Sequence, residues 1–153
     1  MGISATTGPP KPAMPVAYPP FLRHWFARLL AAATLVYVAV LVFATHYPKP
    51  EELLGPNPPS DKTLHFLAYG TLAVLAATTC VAAARWSGRS IAWLALGMAA
   101  FGAVDEITQP LFGRSAEPLD WVYDGIGSVA GLLLVAVVMA TIHRLSPRET
   151  PWV

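Results

Sequence analysis

Long apolar runs, separated by proline-rich and polar stretches, dominate the pattern along this chain. Residues 29–47 form a run of 19 without a formally charged side chain, and residues 64–84 form a similar run of 21. Residues 119–142 form a run of 24 in which Asp120 and Asp124 are confined to the first turns. Because about 20 helical residues cross the roughly 30 Å hydrocarbon core of a bilayer, these three runs predict membrane-spanning helices.

The third segment in chain order has the weakest pattern. Residues 91–104 provide 14 positions before Asp105 and Glu106, and extension to 88–109 provides 22. That length is enough for a span when both acids lie near one membrane face, and a buried or re-entrant helix is the alternative. We predict an all-α, polytopic membrane protein with a four-transmembrane-helix bundle. Its spans are predicted at about 27–46, 62–84, 89–109 and 119–142.

The two ends of the chain are predicted to lie outside this bundle. Six of the 15 prolines fall in the first 20 residues, so residues 1–22 are predicted to form a disordered, proline-rich tail. Residues 23–145 then form the membrane domain, and residues 146–153 form a second tail. The first run exceeds the usual length of about 7–15 residues in a cleaved signal peptide, which favours a retained span.

Composition strengthens the membrane interpretation. Apolar residues make up 55% of the chain, charged residues 12%, and the mean hydropathy is +0.51. The charged fraction is about half that of a soluble domain. A net charge of +1 gives no case for a nucleic-acid partner, and the single Cys80 excludes an internal disulfide. The lipid bilayer is the predicted partner, no cofactor is predicted, and the oligomeric state is left open.

Basic residues predict the orientation of the spans. Seven of them flank one side of the predicted membrane: Lys11, Arg23, Arg28, Arg85, Arg89, Arg144 and Arg148. Three lie on the other side: Lys49, Lys62 and Arg114. The positive-inside rule then places both termini in the cytoplasm of a cell whose inner or plasma membrane holds the protein.

Ionisable and polar side chains gather on the predicted outer face, at the ends of the spans. Four open the second span, three close the third, one lies in the hairpin and two open the fourth: Asp61, Lys62, His65, Tyr69, Asp105, Glu106, Gln109, Arg114, Asp120 and Asp124. They either form ion pairs that hold the bundle together or line a functional site. Five acids against two bases leave pairing incomplete, and the presence of His65, Gln109 and Tyr69 favours a site.

Small residues on the fourth span predict close helix packing. Gly127 and Gly131 form a small-xxx-small pair beside Ser128. This spacing lets two helix backbones approach each other. We therefore expect this face of the fourth span to point into the bundle.

The polar residues resemble the motifs of the VanZ-like family. Residues 61–69 are similar to its D-K-x-x-H-F-x-x-Y motif, and Asp105-Glu106-x-x-Gln109 followed by Arg114 is similar to its D-E-x-x-Q…R motif. Asp120, Gly127 and Gly131 continue the resemblance, whereas the family usually has Asn at the position of Asp124. The resemblance covers residues 61–131 and implies a small bacterial four-helix membrane protein. Its namesake is associated with resistance to the glycopeptide antibiotic teicoplanin.

Three functions fit these residues. The first is a pocket that binds an envelope lipid headgroup or glycan precursor. Arg114 and Lys62 would bind an anionic group of this ligand, and the acids and Gln109 would orient its hydroxyls or amines. The second is a membrane enzyme in which Asp105, Glu106 and His65 act as general acid or base, or hold a divalent cation together with Asp61. The third is a proton-linked carrier with the acids as a relay.

Overall fold

Four long helices make up the fold in a computed structural model that describes residues 20–49, 55 and 57–145. They are α1 (Pro20–His46), α2 (Asp61–Ala82), α3 (Gly88–Thr108) and α4 (Pro118–Leu145), and a 3₁₀ turn (Gln109–Phe112) follows α3. No strand occurs in these ranges. All four helices are long and apolar enough to cross a membrane. The all-α four-helix prediction is therefore confirmed, whereas the predicted tails lie outside the described residues, apart from positions 20–22, which belong to α1.

Side-chain caps and prolines set where the helices begin. The Ser60 hydroxyl accepts a hydrogen bond from the backbone N–H of Thr63 at 3.2 Å, so it caps the start of α2. Ser87 and Ser90 form a reciprocal capping box at the start of α3. Helix α4 starts at Pro118, since proline fits the first turn, where no intrahelical N–H bond is lost.

Backbone geometry sets where α2 and the 3₁₀ turn end. Helix α2 stops at Ala82, two residues before the predicted limit, because Ala84 adopts a left-handed conformation with φ 55°. Gly113, with φ 79°, ends the 3₁₀ turn and directs the chain toward Arg114.

The connections after α2 and after α3 are short, so α2, α3 and α4 alternate in direction. Helix α1 is antiparallel to α2, because Thr34, midway along α1, contacts Thr79 near the end of α2, whereas the last turn of α1 and the first turn of α2 both bond to Arg114. Two ends result: a polar end, where α1 and α3 finish and α2 and α4 begin, and an opposite basic end.

Helices α2 and α4 form the closest pair in the bundle. A Cβ atom at Gly127 would collide with the carbonyl oxygen of Phe66, and one at Gly131 would collide with that of Gly70. These glycines therefore let the two backbones come together, as small residues do between membrane helices. Helix α1 packs on the other side of α2, where the Tyr37 hydroxyl donates to the Ala68 carbonyl at 3.0 Å.

The distribution of polarity is the reverse of that in a soluble protein. Large apolar side chains point outward along every helix, with Leu35, Ile107 and Val137 between 62% and 74% exposed. Carboxylates and histidine are buried instead: Asp105, Asp120, Asp124 and His65 are at most 4% exposed. An apolar exterior around a polar interior fits a protein whose solvent is lipid. The chain is thus a multi-pass membrane protein.

Candidate functional site

The ten predicted site residues all lie at the polar end. Asp61 and Lys62 begin α2, Asp105 and Glu106 close α3, and Asp120 and Asp124 belong to the first turns of α4. Three helix ends and the hairpin that carries Arg114 therefore bring them to one end of the bundle. They divide into a rim and a buried layer. The rim contains three of them, Asp61, Lys62 and Arg114, together with Glu117, which was not predicted, and the buried layer contains the other seven: His65, Tyr69, Asp105, Glu106, Gln109, Asp120 and Asp124.

Ion pairs occupy the rim. The Arg114 guanidinium donates to both Asp61 carboxylate oxygens, at 3.3 and 3.2 Å, and to the Thr45 backbone carbonyl at 3.1 Å. Lys62 lies 3.0 Å from a carboxylate oxygen of Glu117 and 3.5 Å from Asp120. Both bases are thus already paired with acids, which leaves little capacity for the anion that the sequence interpretation assigned to them.

His65 stands at the centre of the buried layer. Its Nδ1 lies 2.8 Å from an Asp124 oxygen and 4.0 Å from Glu106, and its Nε2 lies 3.9 Å from Asp120. The 2.8 Å contact joins α2 to α4. Asp61 lies one helical turn before His65 on α2, but its carboxylate accepts hydrogen bonds from Arg114 instead. The buried histidine is therefore surrounded by carboxylates of other helices.

Two neighbouring groups hold the Glu106 carboxylate. The backbone N–H of Glu117 donates to one oxygen at 3.0 Å, and the Gln109 side-chain amide donates to the other at 3.4 Å. Glu106 thereby ties the end of α3 to the hairpin before α4. Its carboxylate stays directed toward His65.

Helix α1 contributes residues that the sequence analysis did not single out. The Thr45 hydroxyl donates to Asp105 at 2.8 Å, and His46 Nδ1 lies 3.5 Å from the same oxygen. His46 Nε2 contacts the Thr108 hydroxyl at 2.9 Å, and its ring meets Phe112 edge-on. The sequence did contain a signal for them: Thr45 and His46 are polar, and they end the first apolar run at the same predicted membrane face as the other polar side chains.

Several buried polar atoms have no hydrogen-bond partner in the part of the chain that the structure describes. They are the hydroxyls of Tyr69 and Ser128 and one carboxylate oxygen each of Asp105, Asp120 and Asp124. Unpartnered buried polar atoms are uncommon in folded proteins, because leaving one dry costs about 1–3 kcal/mol. The layer therefore holds unused binding capacity.

An apolar groove of about 550 Å³ opens between α1 and α3 beside this layer. Val42, Phe43, Phe101 and Val104 are among the residues that line it. His46 and Asp105 line it as well, with Thr108 and Phe112 at the end of α3. The groove thus lies at the lipid-facing surface of the bundle, next to the buried layer.

Comparison of the chain with protein-family models, with curated proteins and with solved structures gives no match. The resemblance of residues 61–131 to the VanZ-like family therefore rests on the motif residues alone.

Proposed function

We propose that this membrane protein binds a cell-envelope lipid or lipid-linked glycan precursor at its polar end. The observation that carries the proposal is the groove between α1 and α3, which is lined mainly by apolar side chains and has Asp105 and His46 among its lining residues near the polar end. An amphiphile has the matching character: its chain fits the groove and its head group reaches the polar end. The volume lies within the range of about 300–1,000 Å³ typical of ligand sites.

The chemistry of the buried layer favours a head group that donates hydrogen bonds. One Asp105 carboxylate oxygen accepts a hydrogen bond from the Thr45 hydroxyl, while the other has no hydrogen-bond partner among the described residues. Arg114 and Lys62 already form ion pairs with acids. The group that can still accept a hydrogen bond at this site is therefore a carboxylate oxygen, and neither basic side chain is free to bind an anion. Hydroxyl and ammonium groups, such as those of sugars and amino-headed lipids, are the complement of a free carboxylate oxygen.

The envelope assignment draws on orientation and on the VanZ-like resemblance. In the proposed orientation the basic end faces the cytoplasm, both termini are cytoplasmic, and the polar end meets the outer face of the cell membrane. An outward-facing lipid site would change the exposure of envelope precursors. A change in glycopeptide susceptibility is the phenotype that this role predicts.

A second function, a membrane-embedded enzyme acting on a lipid-linked substrate, is favoured by one contact. His65 and Asp124 form a buried pair at 2.8 Å, the arrangement in which a carboxylate orients a histidine for proton transfer. Incubation with native lipid extract separates the two functions. The enzyme yields a new lipid species that His65→Gln abolishes, and the binding protein yields none.

Mass spectrometry of lipid bound to the purified full chain tests the binding proposal. Val104, 58% exposed in the groove, is replaced by Trp, which fills the groove without entering the buried layer. Val122→Trp is the matched control, because Val122 is 45% exposed and lies four residues from the polar end of α4, as Val104 does in α3.

The expected result is a lipid enriched over bulk membrane in the wild type and in Val122→Trp, and at least 10-fold depleted in Val104→Trp. Equal lipid content in both tryptophan variants contradicts the groove as the binding site. A wild-type lipid profile identical to the bulk membrane contradicts the function itself.

A further inference from the structure

His65 separates two groups of carboxylates that each have the spacing of metal ligands. On one edge of the ring lie Glu106 and Asp124, and on the other lie Asp61 and Asp120. Within each group, the histidine nitrogen and the two carboxylate oxygens lie within 4.8 Å of one another. Histidine binds a metal ion through one nitrogen, so only one of the two groups can use His65 as a ligand. The surrounding charges indicate which group is the better site.

The edge with Asp61 and Asp120 has two basic side chains beside its acids, although one Asp120 oxygen, like one of Asp124, accepts no hydrogen bond among the described residues. Arg114 makes a two-oxygen contact with Asp61, and Lys62 lies 3.5 Å from Asp120. A metal ion there would stand beside two fixed positive charges, which repel it. The described contacts of Glu106 and Asp124, by contrast, come from His65, the Gln109 amide and the Glu117 backbone N–H.

The opposite edge holds buried capacity that nothing in the described protein uses. Asp124 is 2% exposed, and its second carboxylate oxygen has no hydrogen-bond partner. The fully buried Tyr69 also has an unpartnered hydroxyl, and its ring and the free Asp124 oxygen both lie against Gly102 of α3. A buried carboxylate oxygen without a partner is costly, and a bound cation lowers that cost.

We propose that His65 Nδ1, Glu106 and Asp124 bind one divalent first-row metal ion, Mn²⁺ or Zn²⁺. In the octahedral coordination of Mn²⁺, ligand bonds of about 2.1 Å place neighbouring ligands about 3.0 Å apart and opposite ones about 4.2 Å apart, whereas tetrahedral Zn²⁺ places all its ligands about 3.4 Å apart. The observed separations from His65 Nδ1 are 2.8 Å to Asp124 and 4.0 Å to Glu106. One imidazole with two carboxylates suits these two ions better than Mg²⁺ or Ca²⁺, which prefer oxygen ligands alone.

The surroundings supply the supporting contacts that metal ligands need. An Asp120 carboxylate oxygen lies 3.9 Å from the other ring nitrogen, beyond hydrogen-bond distance, and its negative charge favours a proton on Nε2, the tautomer that leaves Nδ1 free for the metal. The Gln109 amide and the Glu117 N–H orient Glu106. Binding displaces the hydrogen between His65 and Asp124, so the histidine proton resides on Nε2 and any excess proton is released.

Metal titration of the tag-free full chain in detergent tests this site independently of lipid binding. After treatment with a chelator, Mn²⁺, Zn²⁺ and Mg²⁺ are each titrated by calorimetry, and the bound metal is counted by elemental analysis. The wild type is expected to bind one Mn²⁺ or Zn²⁺ per chain, at least 10-fold more tightly than Mg²⁺. Pulsed electron paramagnetic resonance of bound Mn²⁺ should detect one histidine nitrogen.

Three isosteric variants locate the site. Glu106→Gln and Asp124→Asn should each weaken binding at least 10-fold, whereas Asp61→Asn, on the other edge of His65, should change it less than 3-fold. Each acid-to-amide change keeps the side-chain shape, and Glu106→Gln alone decides the question where Asp124→Asn fails to fold. Absence of Mn²⁺ and Zn²⁺ binding by the folded wild type overturns the proposal. A loss confined to Asp61→Asn also overturns it, because the ion would then lie on the Asp120 side.

Discussion

Arg114 joins three separate parts of the chain through one planar side chain. From the hairpin it reaches Asp61 at the start of α2 and the Thr45 carbonyl at the end of α1. Its side chain is 13% exposed, so these bonds are partly shielded from water. The planar guanidinium has several N–H donors in fixed directions, so it can bond to two groups at once. A lysine ammonium has the same charge but lacks this fixed arrangement of donors.

Arg114→Lys should therefore lower the free energy of unfolding by about 1–2 kcal/mol, the value of one lost charged hydrogen bond at a partly shielded site. The measurement is thermal unfolding in detergent. Arg89→Lys is the control, since Arg89 is exposed at the basic end and keeps the same charge. An unchanged melting temperature for Arg114→Lys, equal to that of the control, would show that the rim pair adds no stability.

Helix spacing placed the right side chains at the right depth but did not assign their partners. The i, i+4 rule puts Asp61, His65 and Tyr69 on one face of α2, yet His65 bonds to Asp124 of α4 and Asp61 bonds to Arg114. Partners across helices depend on rotation and crossing, which a single sequence does not encode in its local pattern. For the same reason the contact from Thr45 to Asp105 was not predicted.

At the scale of the helix, α3 shows how tertiary contacts complete a weak apolar pattern. Its 14-residue apolar stretch is short for a span, yet the helix extends without interruption to Thr108. Asp105 and Glu106 remain in it because Thr45 and the Glu117 N–H bond to their carboxylates. Burial of acids at a membrane helix end is tolerated when such partners exist, and hydropathy alone does not reveal them.

The contact between α2 and α4 gives a prediction at the element scale. Gly127→Ala should destabilise the bundle by about 1–3 kcal/mol, because the added methyl group meets the Phe66 carbonyl and forces two backbones apart. Gly125→Ala is the matched control: it is two residues away on α4, and nothing lies within 4 Å of its added Cβ.

Thermal unfolding in detergent should show a lower melting temperature for Gly127→Ala, and an unchanged or higher one for Gly125→Ala, since alanine favours the helix by about 1 kcal/mol over glycine. Equal melting temperatures for the two variants would contradict a packing role for Gly127. The small-xxx-small pattern predicted an inward face. The identity of its partner, α2 and not α3, required the structure.

At the scale of the whole molecule, an even number of antiparallel helices brings both ends of the described domain to the basic end. Pro20 begins α1 there and Leu145 finishes α4 there. The rim and the buried layer occupy the opposite, polar end. Acidic side chains therefore gather at one end of the bundle and basic side chains at the other. Basic residues that flank spans tend to stay on the cytoplasmic side, so their count of seven against three predicts that the basic end faces the cytoplasm.

A paired reporter experiment tests that direction. A fluorescent protein fused after Val153 should fold and fluoresce in the cytoplasm, and a phosphatase that is active only outside should be active when inserted at Gly55. An inactive insertion at Gly55 with an external C-terminus would reverse the orientation and move the polar cluster to the cytoplasmic face, away from envelope ligands. Reporters on the same side at both positions would contradict four spans, because Gly55 lies between α1 and α2 and three helices separate it from the C-terminus.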